Sequence, residues 1–105
     1  MKNEYGEVLD RNGYAPSIVG EQNRCFQCGR SDIKLDRHEV WHGSNRTKCK
    51  NLGLWVNLCM NCHRRLHQKG DGLDSELKQK MQVIAMDYYG WGVDEFRKVI
   101  GKSYI

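Results

Sequence analysis

Four side chains that commonly bind metal ions stand within nine residues, in the stretch CMNCHRRLH. Two residues separate Cys59 from Cys62, and three separate His63 from His67. Thiolates and imidazoles are the preferred protein ligands of zinc and related divalent ions. The spacing therefore raises the question of whether these side chains serve one ion or two.

The cysteine pair has a counterpart earlier in the chain, in the stretch CFQC. A two-residue spacer lets both sulfurs of a pair reach one ion, and two such pairs complete a tetrahedral zinc site. We therefore predict one structural zinc, whose ligands are Cys25, Cys28, Cys59 and Cys62. A thiol redox centre is disfavoured because no βαβ pattern surrounds either pair. The fifth cysteine, Cys49, is left over.

The two histidines lie on a different side of the expected helix from the cysteine. With Cys62 set at 0° and about 100° per residue, His63 and His67 fall near 100° and 140°. Histidines four residues apart on a helix can bind one ion together, so we predict a second metal site. That site needs a third ligand, and His38 is the candidate because a strand-like stretch carries it just after the first cysteine pair. We interpret His42 as a loop histidine.

Positive charge is concentrated in the part of the chain that carries these residues. Residues 24–69 hold ten Lys/Arg against three Asp/Glu, a net charge of +7, whereas the whole chain has +4. Such a basic segment suits a partner that carries phosphates, although a merely solvated basic surface has the same composition. The candidate phosphate contacts are Arg46, Lys48, Lys50, Arg64 and Arg65.

The elements that must position these residues follow from the apolar pattern. Strands are predicted at 33–41 and 52–59, with a helix starting close to Cys59. The polar stretch GSNRTKCKN (43–51) between the strands is predicted to be a loop. Residues 1–23, which carry several glycines and one proline, are interpreted as an irregular lead-in.

Two further helices are predicted towards the end of the chain. The first runs from Ser75 to Tyr89, with Asp74 as its N-cap and Gly90 closing it. The second covers 93–100 and ends at Gly101. No apolar run approaches the roughly 20 residues that span a bilayer, and no signal peptide is recognisable. We therefore expect a cytoplasmic protein without a membrane partner.

The combination of these motifs resembles the HNH endonucleases. CFQCGR, RHEVWHGSNR and GLWVNLCMNCHRRLH are similar to the zinc-supported form of that family. LDRNGYAPSI and YYGWGVDEFRKVIGKSYI are similar to small HNH proteins of phages and prophages. The resemblance implies an α+β fold, a treble-clef-like, zinc-stapled ββα-metal domain with C-terminal helices. The motif would occupy 24–69 and the helices 73–101 of a single domain, 1–105.

The resemblance also implies an activity, the metal-dependent hydrolysis of DNA phosphodiester bonds by an endonuclease or nickase. His38, His63 and His67 would hold a catalytic divalent ion such as Mg, Mn, Ni or Zn. His38 and Glu39 match the family's catalytic strand pair. Two assignments stay open: His38 is a ligand and Glu39 the general base, or His38 is itself the base.

The sequence departs from the family pattern at the middle asparagine. Leu54 stands at the position where the family usually has it, and Asn45, Asn51 and Asn57 are nearby but out of register. Which residue braces the loop is therefore open. Trp41 and Trp55 could contact sugars or bases, but we expect core packing for both.

The partner implied by the resemblance is DNA, in the cytoplasm of a bacterial host. A phage or host protein of recombination or packaging is a further expected partner. The alternative function is that of a non-catalytic zinc-binding adaptor for DNA or protein on the same scaffold. An adaptor would not need three histidines that converge on one point.

Overall fold

The described part of the chain contains two short strands and four α-helices. The structure, a computed structural model, describes residues 1–68 and 72–105. The strands are β1 (Leu35–Glu39) and β2 (Trp55–Cys59). The helices are α1 (Arg46–Leu52), α2 (Met60–Leu66), α3 (Leu73–Tyr89) and α4 (Val93–Ile100). The small α+β architecture is the one predicted, and the order β1, β2, α2 contains the expected two strands followed by a helix.

The strands form an antiparallel pair in which Leu35 lies opposite Cys59 and Glu39 opposite Trp55. Both are shorter than predicted, because Leu52 belongs to α1, Gly53 ends that helix, and the chain bends at Val40 and Trp41 after β1. One further backbone bond, from Val40 N to Leu54 O at 3.1 Å, continues the pairing after β1 ends. The pairing places the end of β1 beside the start of β2.

The prediction of a loop over 43–51 was wrong. A 3-10 turn, Gly43–Asn45, leads directly into α1. Two residues three apart, Cys49 and Leu52, turn inward and are buried, while the remaining side chains of α1 are polar. Two apolar positions are too few to produce a recognisable helical period, which is why the stretch looked like a loop.

The later helices agree with the prediction apart from one cap. Helix α3 begins at Leu73 rather than Ser75, with Gly72 as its N-cap, so the assignment of Asp74 as N-cap was wrong. Asp74 instead lies in the first turn, where its carboxylate forms an ion pair with Lys78. The distance between Asp74 Oδ2 and Lys78 Nζ is 2.9 Å. Gly90 and Gly101 end α3 and α4 in the left-handed conformation, as expected. No described helix has the length and apolarity needed to cross a membrane.

The core lies between the sheet, α2, α3 and α4. Trp41 is 2% exposed and stacks edge-on against Phe96 at 5.3 Å between ring centroids. Trp55 is buried as well. Both tryptophans therefore pack in the core, as expected, and are not free to contact a nucleic acid.

The N-terminal segment lies across the sheet and is tied to β2. The indole N–H of Trp55 donates to Ala15 O at 2.8 Å, and the Ser17 hydroxyl donates to Trp55 O at 2.7 Å. Gly53 allows this approach, because a Cβ at that position would overlap the carbonyl oxygen of Pro16. This close packing brings residues 10–22 next to the end of β1.

Candidate metal centres and the cleft beside them

The four predicted zinc ligands converge. The sulfurs of Cys25, Cys28, Cys59 and Cys62 all lie within 4.8 Å of one another. The sulfurs of Cys28 and Cys59 are 3.8 Å apart. Zinc bound tetrahedrally at about 2.3 Å from each sulfur places neighbouring sulfurs roughly 3.8 Å apart. The cluster can therefore hold a structural metal ion.

Backbone contacts hold the first cysteine pair in a tight turn over β2. Cys28 N donates to the Cys25 sulfur at 3.4 Å, and Gly29 N donates to Cys25 O at 2.8 Å. Phe26 N donates to Asn57 O at 2.9 Å, which fastens the turn to the strand. The second pair needs no such turn, because Cys59 is the last residue of β2 and Cys62 lies in the first turn of α2.

Two thiols in this cluster, those of Cys25 and Cys62, have pKa values shifted in opposite directions. Burial would raise the pKa of Cys25, but backbone hydrogen bonds from Cys59, Cys28 and Gln27 outweigh it and lower that pKa to about 6. Burial, together with hydrogen bonds to the other three sulfurs, raises the pKa of the Cys62 thiol. Four thiolates at this distance need a cation between them, which is the chemistry that zinc supplies.

The three predicted histidines of the second site also converge, from two elements. Ligand nitrogens of His38 on β1 and of His63 and His67 on or beside α2 lie within 4.8 Å of one another. Their ring centroids are 5.0 to 5.8 Å apart. Cys62 and Leu66 point into the core from the other side of α2. The helix thus separates a cysteine side from a histidine side, as the angular argument predicted.

His38 is the most buried member of this group, at 4% exposed. Within the described part of the chain, its Nε2 has no hydrogen-bond partner. Burial, and then the neighbouring charges of His63 and His67, lower the pKa of His38 to about 4. A neutral imidazole with an unpaired nitrogen, packed against two other imidazoles, fits the donor set of a transition-metal or zinc site.

His42 lies beside the three histidines and outside their group. Its ring centroid is 6.1 Å from that of His38 and 6.0 Å from that of His67. Its side chain is exposed on the segment that follows β1. The structure therefore leaves His42 at the rim of the site, in the loop position predicted for it.

A cleft of about 380 Å³ opens onto the histidine group. Side chains that line it include all four histidines, Glu39, Arg37 and Arg46. Neighbouring residues of a strand point to opposite faces, but β1 ends at Glu39. Both His38 and Glu39 therefore reach the same cleft, which they must do if they serve one site.

The Glu39 carboxylate is held on one of its two oxygens. Oε1 accepts a hydrogen bond from the Tyr14 hydroxyl at 2.9 Å and another from Arg46 Nε at 3.0 Å. Burial would raise the pKa of Glu39, but these two hydrogen bonds outweigh it and keep the pKa below its ordinary value. Glu39 is therefore a carboxylate at neutral pH.

The five predicted phosphate contacts differ in their position relative to the cleft. Arg46 lines the cleft and its side chain is 67% exposed. Lys48 Nζ donates to Val99 O at 2.6 Å, which fastens α1 to α4, and Lys50 Nζ lies 4.9 Å from the centre of the Tyr14 ring. Arg64 and Arg65 are exposed on α2. Arg46 is therefore the member of this set that lies at the cleft itself.

The structure also shows what the three asparagines near the loop do. Asn45 Nδ2 donates to Ile100 O at 2.8 Å and so ties the turn before α1 to the end of α4. Asn57 bonds to Gln22, and Asn51 O accepts from Asn3. Asn45 is therefore the asparagine that braces the connection between the strands.

Sequence reasoning missed two residues of the cleft region. Arg37 stood in the basic segment but was not singled out, and Tyr14 lies in the lead-in, 25 residues before its partner Glu39. The position of Arg37 directly before His38 was a usable signal. No spacing rule could have connected Tyr14 with the site, because tertiary packing alone brings them together.

Neither the family models, nor the curated proteins, nor the solved structures with which the chain was compared gave a match.

Proposed function

We propose that the protein is a metal-dependent DNA endonuclease or nickase of the HNH type. The observation that carries the proposal is the convergence of three histidine ligand atoms within 4.8 Å at a cleft that also contains a carboxylate and two arginines. A ligand set, an ionised acceptor for a proton and fixed positive charge are the parts that phosphodiester hydrolysis requires. DNA, rather than a small phosphate ester, is favoured by the +7 charge of residues 24–69.

In this proposal the two metal sites have different roles. Zinc held by Cys25, Cys28, Cys59 and Cys62 stabilises the fold, because a core of this size gains much of its stability from such an ion. His38, His63 and His67 hold the second, catalytic divalent ion. That ion, when bound, supplies Lewis-acid stabilisation of the phosphate and of the leaving 3′ oxygen.

Of the two roles left open for His38, the ligand role has the better support. Its buried Nε2 has no hydrogen-bond partner among the described residues, and one of its ring nitrogens lies within 4.8 Å of ligand nitrogens of His63 and His67. Glu39 then takes the role of general base. Its position at the end of β1 puts the carboxylate in the same cleft.

The proposed reaction moves one proton and exchanges one bond to phosphorus. Glu39 accepts a proton from a water molecule while the water oxygen forms a new bond to phosphorus. The bond between phosphorus and the 3′ oxygen breaks, and the 3′ oxygen takes a proton from solvent. Arg46 stabilises the charge on the phosphate with those N–H groups that do not face Glu39.

Nicking of supercoiled plasmid tests the proposal. Zinc-loaded protein is incubated with plasmid and with Mg²⁺, Mn²⁺, Ni²⁺ or added Zn²⁺, and a chelator that leaves the structural zinc in place is the control. We expect nicked circles with at least one added ion and none with chelator. Binding of DNA without nicking under any of these ions would favour the adaptor function.

A further inference from the structure

The hydroxyl of Tyr14 reaches the proposed active site from outside the ββα segment. The residue lies in the N-terminal segment, and its hydroxyl donates to Glu39 Oε1 at 2.9 Å across a sequence separation of 25 residues. The N-terminal segment is fixed where it meets β2, through the bonds of Ala15 and Ser17 to Trp55. The backbone that follows Tyr14 is therefore fastened to the sheet that carries Glu39.

The two donors on Glu39 share one oxygen. Tyr14 and Arg46 both donate to Oε1, and among the described side chains none donates to Oε2. Glu39 itself is 9% exposed, so its carboxylate has little freedom to exchange its partners with water. Two donors on one oxygen fix the plane of the carboxylate and leave the lone pairs of the other oxygen open.

The Tyr14 ring is itself held in place. It packs edge-on against Trp55 with ring centroids 6.0 Å apart, and the Arg37 guanidinium lies 4.0 Å from its centre. The backbone N–H of Tyr14 donates to the Asp10 carboxylate at 3.0 Å. A ring held from these sides keeps its hydroxyl at one place, which is what a positioning group needs.

We propose that Tyr14 is a positioning residue for Glu39, holding Oε1 so that Oε2 faces the cleft and accepts the proton of the attacking water. The inference rests on the proposed nuclease function and on Glu39 as its general base. Tyr14 keeps its own proton throughout, so the bonds made and broken are those of the reaction above. The competing explanation is that Tyr14 only fastens the N-terminal segment to the sheet.

Tyr14→Phe separates these explanations, because it removes the hydroxyl and keeps the ring that packs on Trp55 and Arg37. We expect kcat for plasmid nicking to fall about tenfold to a hundredfold, the range for loss of a hydrogen bond to a charged group. KM for plasmid, affinity for the catalytic ion and the zinc content should stay at wild-type values. Thermal unfolding of the zinc-loaded variant checks that the fold is retained.

Tyr88→Phe is the matched control. The Tyr88 hydroxyl also donates to a carboxylate, Glu7 Oε1 at 2.7 Å, but neither residue lines the cleft. This variant loses the same kind of hydrogen bond and should keep the wild-type kcat. An equal loss in both variants would assign the effect to general destabilisation and overturn the positioning role.

A double-mutant cycle adds a result that a structural role does not give. In the Glu39→Gln background, Tyr14→Phe should cause no further loss of kcat, since the group that it positions is already disabled. A further loss as large as in the wild-type background would overturn the proposal and leave Tyr14 a structural residue.

Carbon-13 NMR of the glutamate δ-carboxyl groups supplies a readout that does not depend on activity. The chain has six glutamates, and the resonance missing in Glu39→Gln assigns Glu39. In zinc-loaded protein without the catalytic ion, Tyr14→Phe should move the Glu39 resonance, and Tyr88→Phe should move that of Glu7 instead. An unmoved Glu39 resonance would overturn the contact on which the inference depends.

The failure of the inference is distinguishable from failure of the proposed function. If wild-type protein nicks plasmid and Tyr14→Phe nicks it at the same kcat, only the positioning role of Tyr14 falls. If wild-type protein does not nick plasmid with any of the ions, the proposed nuclease function is refuted, and the positioning role of Tyr14 is refuted with it.

Discussion

The sulfurs of Cys28 and Cys59 lie 3.8 Å apart although 31 positions separate the two residues in the chain. One cysteine belongs to the turn before β1 and the other ends β2, so an ion between them joins the start of one strand to the end of the other, at the same end of the antiparallel pair. The loop that this ion closes contains β1, α1 and β2. The proposed zinc site and the fold are therefore expected to be lost together.

Replacement of one zinc ligand should unfold the protein. Cys28→Ser should lose the ion and, with it, the cooperative unfolding transition, because zinc binding supplies folding free energy to a core of this size. Cys49→Ser is the matched control: the Cys49 sulfur is buried, lies outside the four-cysteine group and, among the described residues, bonds to the backbone of Trp41, so zinc content should be unchanged. Metal analysis and circular dichroism measure both, and folded wild-type protein without zinc would contradict the prediction.

The main electrostatic contact with DNA should involve the exposed face of α2. Substitution of Arg64 and Arg65 by Gln should weaken binding to any sequence and reduce the slope of log K against log salt by about 2 units, at roughly 0.9 for each phosphate contact. The control is the adjacent basic pair Arg97 and Lys98 on α4, which lies outside the basic segment. A salt slope unchanged by the α2 substitutions, and reduced by those on α4, would place the DNA on a different surface.

Substitution of His38, the buried ligand in the proposed site, should weaken binding of the proposed catalytic ion without removing the proposed base. His38→Ala should lower affinity for Mn²⁺ or Ni²⁺ measured by calorimetry on zinc-loaded protein, and excess metal should partly restore nicking. Glu39→Gln should bind the ion normally and nick orders of magnitude more slowly at any metal concentration. The reverse pattern, with metal binding intact in His38→Ala and a mild effect of Glu39→Gln, would make His38 the base.

The close approach of the N-terminal segment to α1 can be tested at one glycine. Gly53 has φ +71° and a Cβ there would overlap Pro16 O, so Gly53→Ala should lower the free energy of unfolding by more than about 1 kcal/mol. Gly90→Ala is matched to it, since Gly90 also ends a helix at φ +71° but has no atom within 4 Å of its Cβ position. Chemical denaturation should show a clearly larger loss of unfolding free energy for Gly53→Ala than for Gly90→Ala. Equal losses would show that the overlap with Pro16 O does not affect stability.

The sequence predicted those features that depend on local spacing. The two strands, the start of α2 directly after Cys59 and the separate side that carries His63 and His67 follow from period and spacing alone. Helix α1 was missed because only Cys49 and Leu52 of its residues are buried, and the Gly-Ser-Asn start favoured a loop. At the start of α3, the preference of aspartate for the N-cap position led to a wrong assignment. Gly72 is the N-cap, and Asp74 forms an ion pair with Lys78.

What local spacing could not supply is the set of partners from distant parts of the chain. The contact between Tyr14 and Glu39 depends on how residues 10–22 fold back over β2. The lead-in contains no periodic pattern that would place it there. The same holds for Asn45, whose bond to the end of α4 spans 55 positions.

The most direct test of the central claim is nicking of supercoiled plasmid by zinc-loaded wild-type protein, His38→Ala and His63→Ala, over a range of Mn²⁺ concentrations. Wild-type protein should nick in an ion-dependent way. His63→Ala, like His38→Ala, leaves only two of the three converging ligands, so it should lose most activity at Mn²⁺ concentrations that saturate the wild-type protein. His38→Ala should require more metal for the same rate. Wild-type activity in both variants would refute the proposed nuclease site and leave the adaptor function as the explanation for the scaffold.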